Sequence, residues 1–110
     1  MINNIDSMIK WASGFVDGEG YIQYKQEPYK RIRIEVCNTD FAPIQVLHEL
    51  FGGKVYDRKP RVSAIGTITK PQKMWVALNE ECYEACQSML PYLTTEKRIA
   101  TATQILNHYE

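Results

Sequence analysis

The residue best placed for chemistry is Glu19, which stands between Gly18 and Gly20 at the end of an apolar stretch. The stretch mixes bulky and small residues and predicts a helix over about 6–17, with Asp6 as a candidate N-cap. A carboxylate at the C-terminal end of a helix is repelled by the negative end of the helix dipole. We therefore expect a cation to compensate Glu19, and a divalent metal ion is the strongest candidate. The simpler alternative is an acid that is only solvated.

Two glycines on one face of this helix predict a close contact with another backbone. Gly14 and Gly18 are four residues apart, so they lie one above the other. Each costs roughly 1 kcal/mol of helix stability relative to Ala, and a second helix packed against this face would explain that cost. Trp11 and Phe15 stand beside them. The alternative is that this face packs inside its own domain.

Residues 12–20 resemble the signature motif of the LAGLIDADG homing endonucleases. The residues identical to the motif are Gly14, Asp17 and Gly20. Those that keep its residue type are Ser13, Phe15, Val16, Gly18 and Glu19. Ala12, in place of the leading Leu, is the weakest match. The resemblance implies a DNA endonuclease that makes double-strand breaks at a long, near-palindromic site by metal-dependent phosphodiester hydrolysis.

The resemblance also implies roles for individual residues. In the family, the last acid of the motif and the carbonyl group before it bind the catalytic divalent ion. This assigns Glu19 and Gly18 to Mg²⁺ or another divalent cation. Asp17 has two candidate roles, in catalysis or in the structure of the helix end. Members with one motif act as homodimers, so the implied dimer interface contains Trp11, Gly14, Phe15 and Gly18.

Further candidates for the active site follow from position. Asn38 matches by its spacing a polar residue near the active site of the family. The Lys that usually follows the last strand is replaced by Asn79, so Lys73 or Lys70 would have to serve from elsewhere. Lys97 lies where related chains often keep a basic residue. This departure leaves a second interpretation open, a non-cleaving nucleic-acid binder on the same scaffold, such as an intron maturase or a DNA-binding regulator.

The charges are unevenly distributed along a chain whose formal net charge is +0. Ten of the thirteen basic residues but only five acids lie between residues 21 and 75, which gives that span a net charge of +5. A basic middle between acidic ends predicts one positive face, which is typical of nucleic-acid binding. An interaction module without nucleic acid would leave this face unexplained.

Two neighbouring strands are expected to carry much of the positive face. After Gly20, apolar and polar residues alternate on both strands of a predicted hairpin with one apolar and one cationic face. A two-stranded ribbon of this kind fits the major groove, where Arg, Lys and Gln can contact base edges. The predicted DNA-binding residues are Tyr21, Gln23, Lys25, Lys30, Arg31, Arg33, Glu35, Lys54, Arg58, Lys59, Arg61 and Lys70.

The remaining elements complete an α+β pattern. Asn38-Thr39-Asp40 begins a second helix, and Gly52-Gly53 ends it. We then expect, in order, a strand pair over 54–58 and 61–69, a strand over 73–78, a third helix capped by Asn79 and ended by Pro91, and a last helix over about 95–109. This matches the α-β-β-α-β-β-α order of the homing endonuclease fold, in which a saddle-shaped antiparallel sheet binds DNA.

Length and composition set the remaining expectations. A chain of 110 residues with 45% apolar content suits a single domain over 1–110. Cys37, Cys82 and Cys86 are expected to be buried thiols rather than metal ligands. No apolar run approaches the roughly 18 residues of a membrane span, and the N-terminus has no signal-peptide pattern. We expect a soluble intracellular protein without a membrane partner, in a bacterial or phage-host cytoplasm or in an organelle.

Overall fold

A four-stranded antiparallel sheet with helices packed on one face forms the fold. The computed structural model describes residues 4–60, 62–68 and 70–110. Its elements are α1 (Ile5–Glu19), β1 (Gly20–Lys25), β2 (Arg31–Asn38), α2 (Phe41–Phe51), β3 (Lys54–Arg58), β4 (Gln72–Leu78), α3 (Asn79–Met89), a 3-10 turn (Leu90–Tyr92) and α4 (Glu96–Tyr109). The expected α+β class is confirmed.

The sheet has the strand order β1-β2-β4-β3, and every pair is antiparallel. Ile34 lies at its centre, opposite Ile22 on one side and Ala77 on the other. All three side chains are buried on the helix side of the sheet. The alternation predicted for the β1–β2 hairpin is therefore confirmed, because each apolar residue of β2 faces the helices.

Helix α1 begins slightly earlier than the sequence suggested. The cap is Asn4, whose Oδ1 accepts a hydrogen bond from the Ser7 N–H at 3.3 Å, and Asp6 lies inside the first turn. Ala12, Ser13 and Val16 are buried on the inner face. The Ser13 hydroxyl donates to the Ile9 carbonyl at 2.7 Å, so this polar group enters the core with a partner.

The limits of α2 agree with the predicted capping residues. Asp40 accepts from the Ala42 N–H at 3.3 Å, and Gly52 ends the helix with φ 73°. Gly53 follows with φ 80°, and a Cβ there would lie 2.5 Å from the Val76 carbonyl oxygen. Both glycines are therefore required, the second for conformation and for space.

Two sequence predictions about the second half are wrong. Residues 62–68 form a separate turn with one Val62–Ile68 bridge, and β3 pairs directly with β4, which starts at Gln72. Residues 61 and 69, the predicted strand ends, lie outside the described residues. Asn79 does not cap α3: its φ is 52°, and no described side chain caps that helix. Asn tolerates this left-handed conformation, which reverses the chain directly after β4.

The rest of the helical layer follows the predicted pattern. Cys82, Ala85, Cys86 and Met89 are buried along α3, and the helix ends before the 3-10 turn that contains Pro91. The hydrogen bond with Cys86, together with burial, raises the pKa of the Cys82 thiol. Cys82 and Cys86 are therefore buried thiols, as expected, whereas Cys37 is only half-buried. Among residues 4–60, 62–68 and 70–110, no helix is long and apolar enough to cross a bilayer.

Candidate functional site

The sheet face that points away from the helices, here called the outer face, is cationic. On β4, between β2 and β3, its residues are uncharged: Gln72, Met74, Val76 and Leu78. From the other three strands, alternation places on it Tyr21, Gln23 and Lys25 of β1, Arg31, Arg33 and Glu35 of β2, and Lys54, Tyr56 and Arg58 of β3. These nine residues include five cations and one carboxylate. The eight of them that were predicted to bind DNA therefore lie on one surface, as the alternation required.

Contacts between neighbours fix several of these side chains. Arg33 forms an ion pair with Glu35 two residues along the same strand. The Arg58 Nη1 donates to the Cys37 Sγ at 3.3 Å, and this contact raises the pKa of the Arg58 guanidinium. Tyr29, in the β1–β2 turn, lies between two cations of the face, with the Lys25 and Arg31 groups each 5.8 Å from its ring centroid.

The other predicted DNA contacts flank the outer face. Lys30 is exposed in the β1–β2 turn, and Lys59 and Lys70 are exposed in the connection between β3 and β4. Arg61 lies outside the described residues. The exposed cations therefore continue from the strands into both connecting segments, which extends the positive surface at two ends of the sheet.

Glu19 is exposed at the last position of α1, immediately before the outer face begins. The next residue, Gly20, donates its N–H to the Val16 carbonyl and has φ −93°, which any residue adopts. Its lack of a side chain matters for space instead, because a Cβ there would lie 2.8 Å from the Val16 carbonyl oxygen. The chain thus passes from helix to strand within one residue and leaves the Glu19 carboxylate in solvent.

A cation from α4 contacts the residue that follows Glu19. The Arg98 guanidinium donates to the Gly20 carbonyl through Nη2 at 2.6 Å and Nε at 3.2 Å. Sequence reasoning missed Arg98. The available signal was the Lys97–Arg98 pair in the first turn of a helix, where the positive end of the dipole disfavours cations.

Of the predicted catalytic residues, Lys97 lies beside the start of β1. Lys97 and Arg98 line a cavity of about 60 Å³ with Tyr21, Ile22 and Thr101, beside the strand that follows Glu19. Lys97, which is exposed, therefore lies on the same side of the sheet edge as the end of α1. This arrangement places two cations beside the start of β1, the strand that follows Glu19.

Asn38 and Lys73 lie at the end of the sheet where β1 begins, but other groups hold their side chains. They face each other in the β2–β4 register, on the helix side of the sheet. The Asn38 Oδ1 accepts the Asp40 N–H at 2.8 Å, and the Lys73 Nζ lies 2.7 Å from Asp57 and 5.2 Å from the Phe41 ring centroid. The observed partners are thus Asp40 and Phe41 at the start of α2 and Asp57 of β3.

Asp17 connects α1 with the start of α4. Its carboxylate accepts the Thr94 N–H at 2.8 Å, the Thr94 hydroxyl at 3.0 Å and the Thr95 N–H at 3.1 Å. Partial burial raises the pKa of Asp17, but these hydrogen bonds outweigh it and hold the pKa below its ordinary value of 3.8. Of the two roles considered for Asp17, the observed contacts support the structural one.

The glycine face of α1 is open. A Cβ built at Gly14 or Gly18 would meet no atom of the described chain within 4 Å, apart from the helix's own nearby backbone. Trp11 is 43% exposed and stacks on Phe15, with ring centroids 5.3 Å apart. A cavity of about 250 Å³ lined by Ser7, Met8, Trp11 and Val46 adjoins this face. Packing inside its own domain, the alternative considered for these glycines, is therefore not what the described residues do.

The oxygen donors at the end of α1 suit a hard cation. Glu19 offers an exposed carboxylate, and the Gly18 carbonyl belongs to the last helical turn, which lacks intrahelical donors. The described residues contain no group of three or more His, Cys, Asp or Glu that could hold a metal. Mg²⁺ fits such a site because it commonly uses one or two carboxylates and completes its shell with water and phosphate oxygens.

Comparison with known proteins does not identify the chain: no model of a protein family matches it, and no curated protein matches its sequence.

Proposed function

We propose that the protein is a homodimeric, divalent-metal-dependent DNA endonuclease with the α-β-β-α-β-β-α fold of the LAGLIDADG homing endonucleases. The observation that carries the proposal is the position of Glu19, an exposed carboxylate directly beside a cationic sheet face. An acid at the edge of a phosphate-binding surface weakens binding unless it holds a cation. A hydrolytic role gives a reason for its presence.

The outer face would hold the DNA. Its Arg and Lys side chains can pair with phosphates, and Gln23 and Arg31 can reach base edges in the major groove. Arg33 forms an ion pair with Glu35, so its side chain is held in position and suits a single defined contact with DNA. The duplex would then pass the end of α1, where Glu19 lies.

Each residue near the end of α1 has a separate task in this proposal. Glu19 and the Gly18 carbonyl would bind Mg²⁺, which when bound polarises the phosphate and lowers the pKa of water. Lys97 would neutralise phosphate charge from α4. Arg98 holds the Gly20 carbonyl and so acts as a positioning residue for Glu19.

Cleavage of both strands requires two copies of this arrangement. One chain supplies one Glu19, so a twofold dimer would provide the second. The open face with Gly14 and Gly18 is the surface proposed for the dimer, since two helices can approach there nearly backbone to backbone. Trp11 and Phe15, stacked beside it, would border the contact.

A second candidate function is nucleic-acid binding without cleavage, as in an intron maturase or a DNA-binding regulator. The observation that favours it is the placement of Asn38 and Lys73, which contact Asp40 and Asp57 instead of Glu19. Glu19 favours the endonuclease, because a binder gains nothing from an acid close to phosphate.

The test is cleavage of a randomised duplex library in the presence of Mg²⁺, with sequencing of the cut ends. The wild type should cut both strands, and Glu19→Gln should abolish cutting while it keeps or slightly improves DNA affinity. Glu84→Gln, at an exposed acid of α3, is the matched control and should cut normally. If Glu19→Gln lost DNA affinity with its fold intact, the assignment of Glu19 to the metal would fail. Tight binding by the wild type without cutting would favour the second candidate.

A further inference from the structure

The connection between β3 and β4, here called the arm (residues 59–71), ends in an exposed apolar tip. The Ser63 N–H donates to the Thr67 carbonyl at 2.7 Å, and the Gly66 N–H donates to the Ser63 carbonyl at 2.9 Å. Gly66 has φ +84°, which favours glycine. These contacts define a tight turn that projects Ile65, whose side chain is 89% exposed.

Two more apolar side chains support this tip. Val62 and Ile68 form an antiparallel bridge across the arm, and each is 69% exposed. Single exposed apolar residues are ordinary, but a cluster on a projecting turn marks an interaction site. The apolar tip, defined as Val62, Ile65 and Ile68, has no role in the core described above.

The charge of the arm indicates the kind of partner. Residues 58–73 contain five cations and no carboxylate. Lys59 and Lys70 are exposed on the two sides of the tip. The cations can pair with the phosphates of duplex DNA, and an apolar side chain between them can contact base faces where a base step is unstacked.

The arm leaves the sheet at the end where β1 begins. Gly20 pairs with Val36, and Val36 pairs with Trp75, so β1 and β4 run in the same direction and β4 begins about three residues beyond the level of Gly20. The arm joins β4 at this end, on the β3 side of the sheet, and its exposed Lys59 and Lys70 extend the cationic surface beyond the strands. It would reach the groove next to the one that the strands occupy.

From these observations we infer that the arm inserts Ile65 as a wedge between two base pairs of bound DNA. The inference depends on the DNA-binding function proposed above. Ile is among the side chains that proteins insert at a base step, and such insertion unstacks the step and kinks the duplex by about 20–90°. Val62 and Ile68 would cover the sugars on either side, while Lys59 and Lys70 contact phosphates.

The test uses a 30-base-pair duplex of mixed sequence with a fluorophore at each end, so that energy transfer reports bending. Wild-type protein should raise the transfer, and its affinity should fall steeply with salt. Ile65→Ser should lose the rise and bind about tenfold more weakly, with an unchanged salt slope. Ile65→Leu should restore bending, because it returns an apolar side chain of similar size. Ile5→Ser, at an exposed Ile of α1, is the matched control and should behave as wild type.

The outcomes separate the wedge from the DNA-binding function. Salt-dependent binding by the wild type, with equal bending by Ile65→Ser, would overturn the wedge and leave DNA binding intact. Absence of salt-dependent binding would overturn both. Binding to phosphatidylserine vesicles that Ile65→Ser abolishes, with DNA bending unaffected, would overturn the wedge in favour of a lipid surface. Because Ile65 is almost fully exposed, its replacement should leave the far-ultraviolet circular dichroism spectrum unchanged.

Discussion

Replacing Gly14 by Leu should separate the dimer while it strengthens the single chain. A Cβ at this position meets no atom of the described chain within 4 Å apart from the helix's own nearby backbone, so the protomer has room for a side chain. Leu is a better helix former than Gly by roughly 0.5–1 kcal/mol, and the isolated protomer should gain about that amount of unfolding free energy.

The same substitution acts twice at a twofold interface. Overpacking costs about 1–3 kcal/mol at each inserted side chain, so the dimer should lose about 2–6 kcal/mol. This corresponds to a dissociation constant raised about 30-fold to 25,000-fold. Sedimentation velocity at micromolar concentration should show a wild-type dimer and a Gly14→Leu monomer, and the monomer should no longer cut both DNA strands.

Two further variants test the reasoning. Ala100→Leu adds the same apolar surface at an exposed position of α4 and should leave the dimer intact. Gly20→Ala should instead destabilise the protomer, because its Cβ would lie 2.8 Å from the Val16 carbonyl oxygen. A Gly14→Leu protein that sediments with the wild type would place the interface elsewhere. A wild-type monomer that cuts both strands would refute the symmetry argument itself.

The remaining predictions concern stability and binding. Asp17→Asn should lower the unfolding free energy at pH 7 by about 1–3 kcal/mol, since an amide places a donor against one of the Thr94 and Thr95 N–H groups. Folding lowers the pKa of Asp17, so its contribution to the unfolding free energy is complete above the unfolded pKa of 3.8 and disappears as the pH falls through the folded pKa. Urea titrations should therefore show the unfolding free energies of wild type and Asp17→Asn converging at low pH. Arg31→Ala should reduce the salt slope of DNA binding by about 1, whereas Lys10→Ala, a cation of α1 beside the Tyr92 ring, should not; equal slopes for both would remove the outer face from the DNA interface.

Contacts between neighbours in sequence explain the predictions that were confirmed. Alternation in β2 places Ile34 and Arg33 on opposite faces of the sheet, because the strand period is two, and the apolar residues take the face that the helices cover. Asp40 caps the beginning of α2 and Gly52 caps its end, each through a hydrogen bond within one helical turn. The failures at 61–69 and Asn79 arose where local patterns are ambiguous. An apolar run of β-branched residues resembles a strand even when it forms a projecting turn, and a left-handed Asn resembles a cap.

Residue type and short spacing were enough to predict the four helices, the β1–β2 hairpin, the cationic character of one sheet face and Glu19 as the candidate acid. The contacts between residues distant in sequence depend on the tertiary structure. Arg98 reaches Gly20, and Asp17 holds Thr94 and Thr95, across more than seventy residues of chain. The β2–β4 register places Asn38 opposite Lys73. Packing of the helices on the sheet sets these contacts, and packing depends on all the elements together rather than on any local pattern.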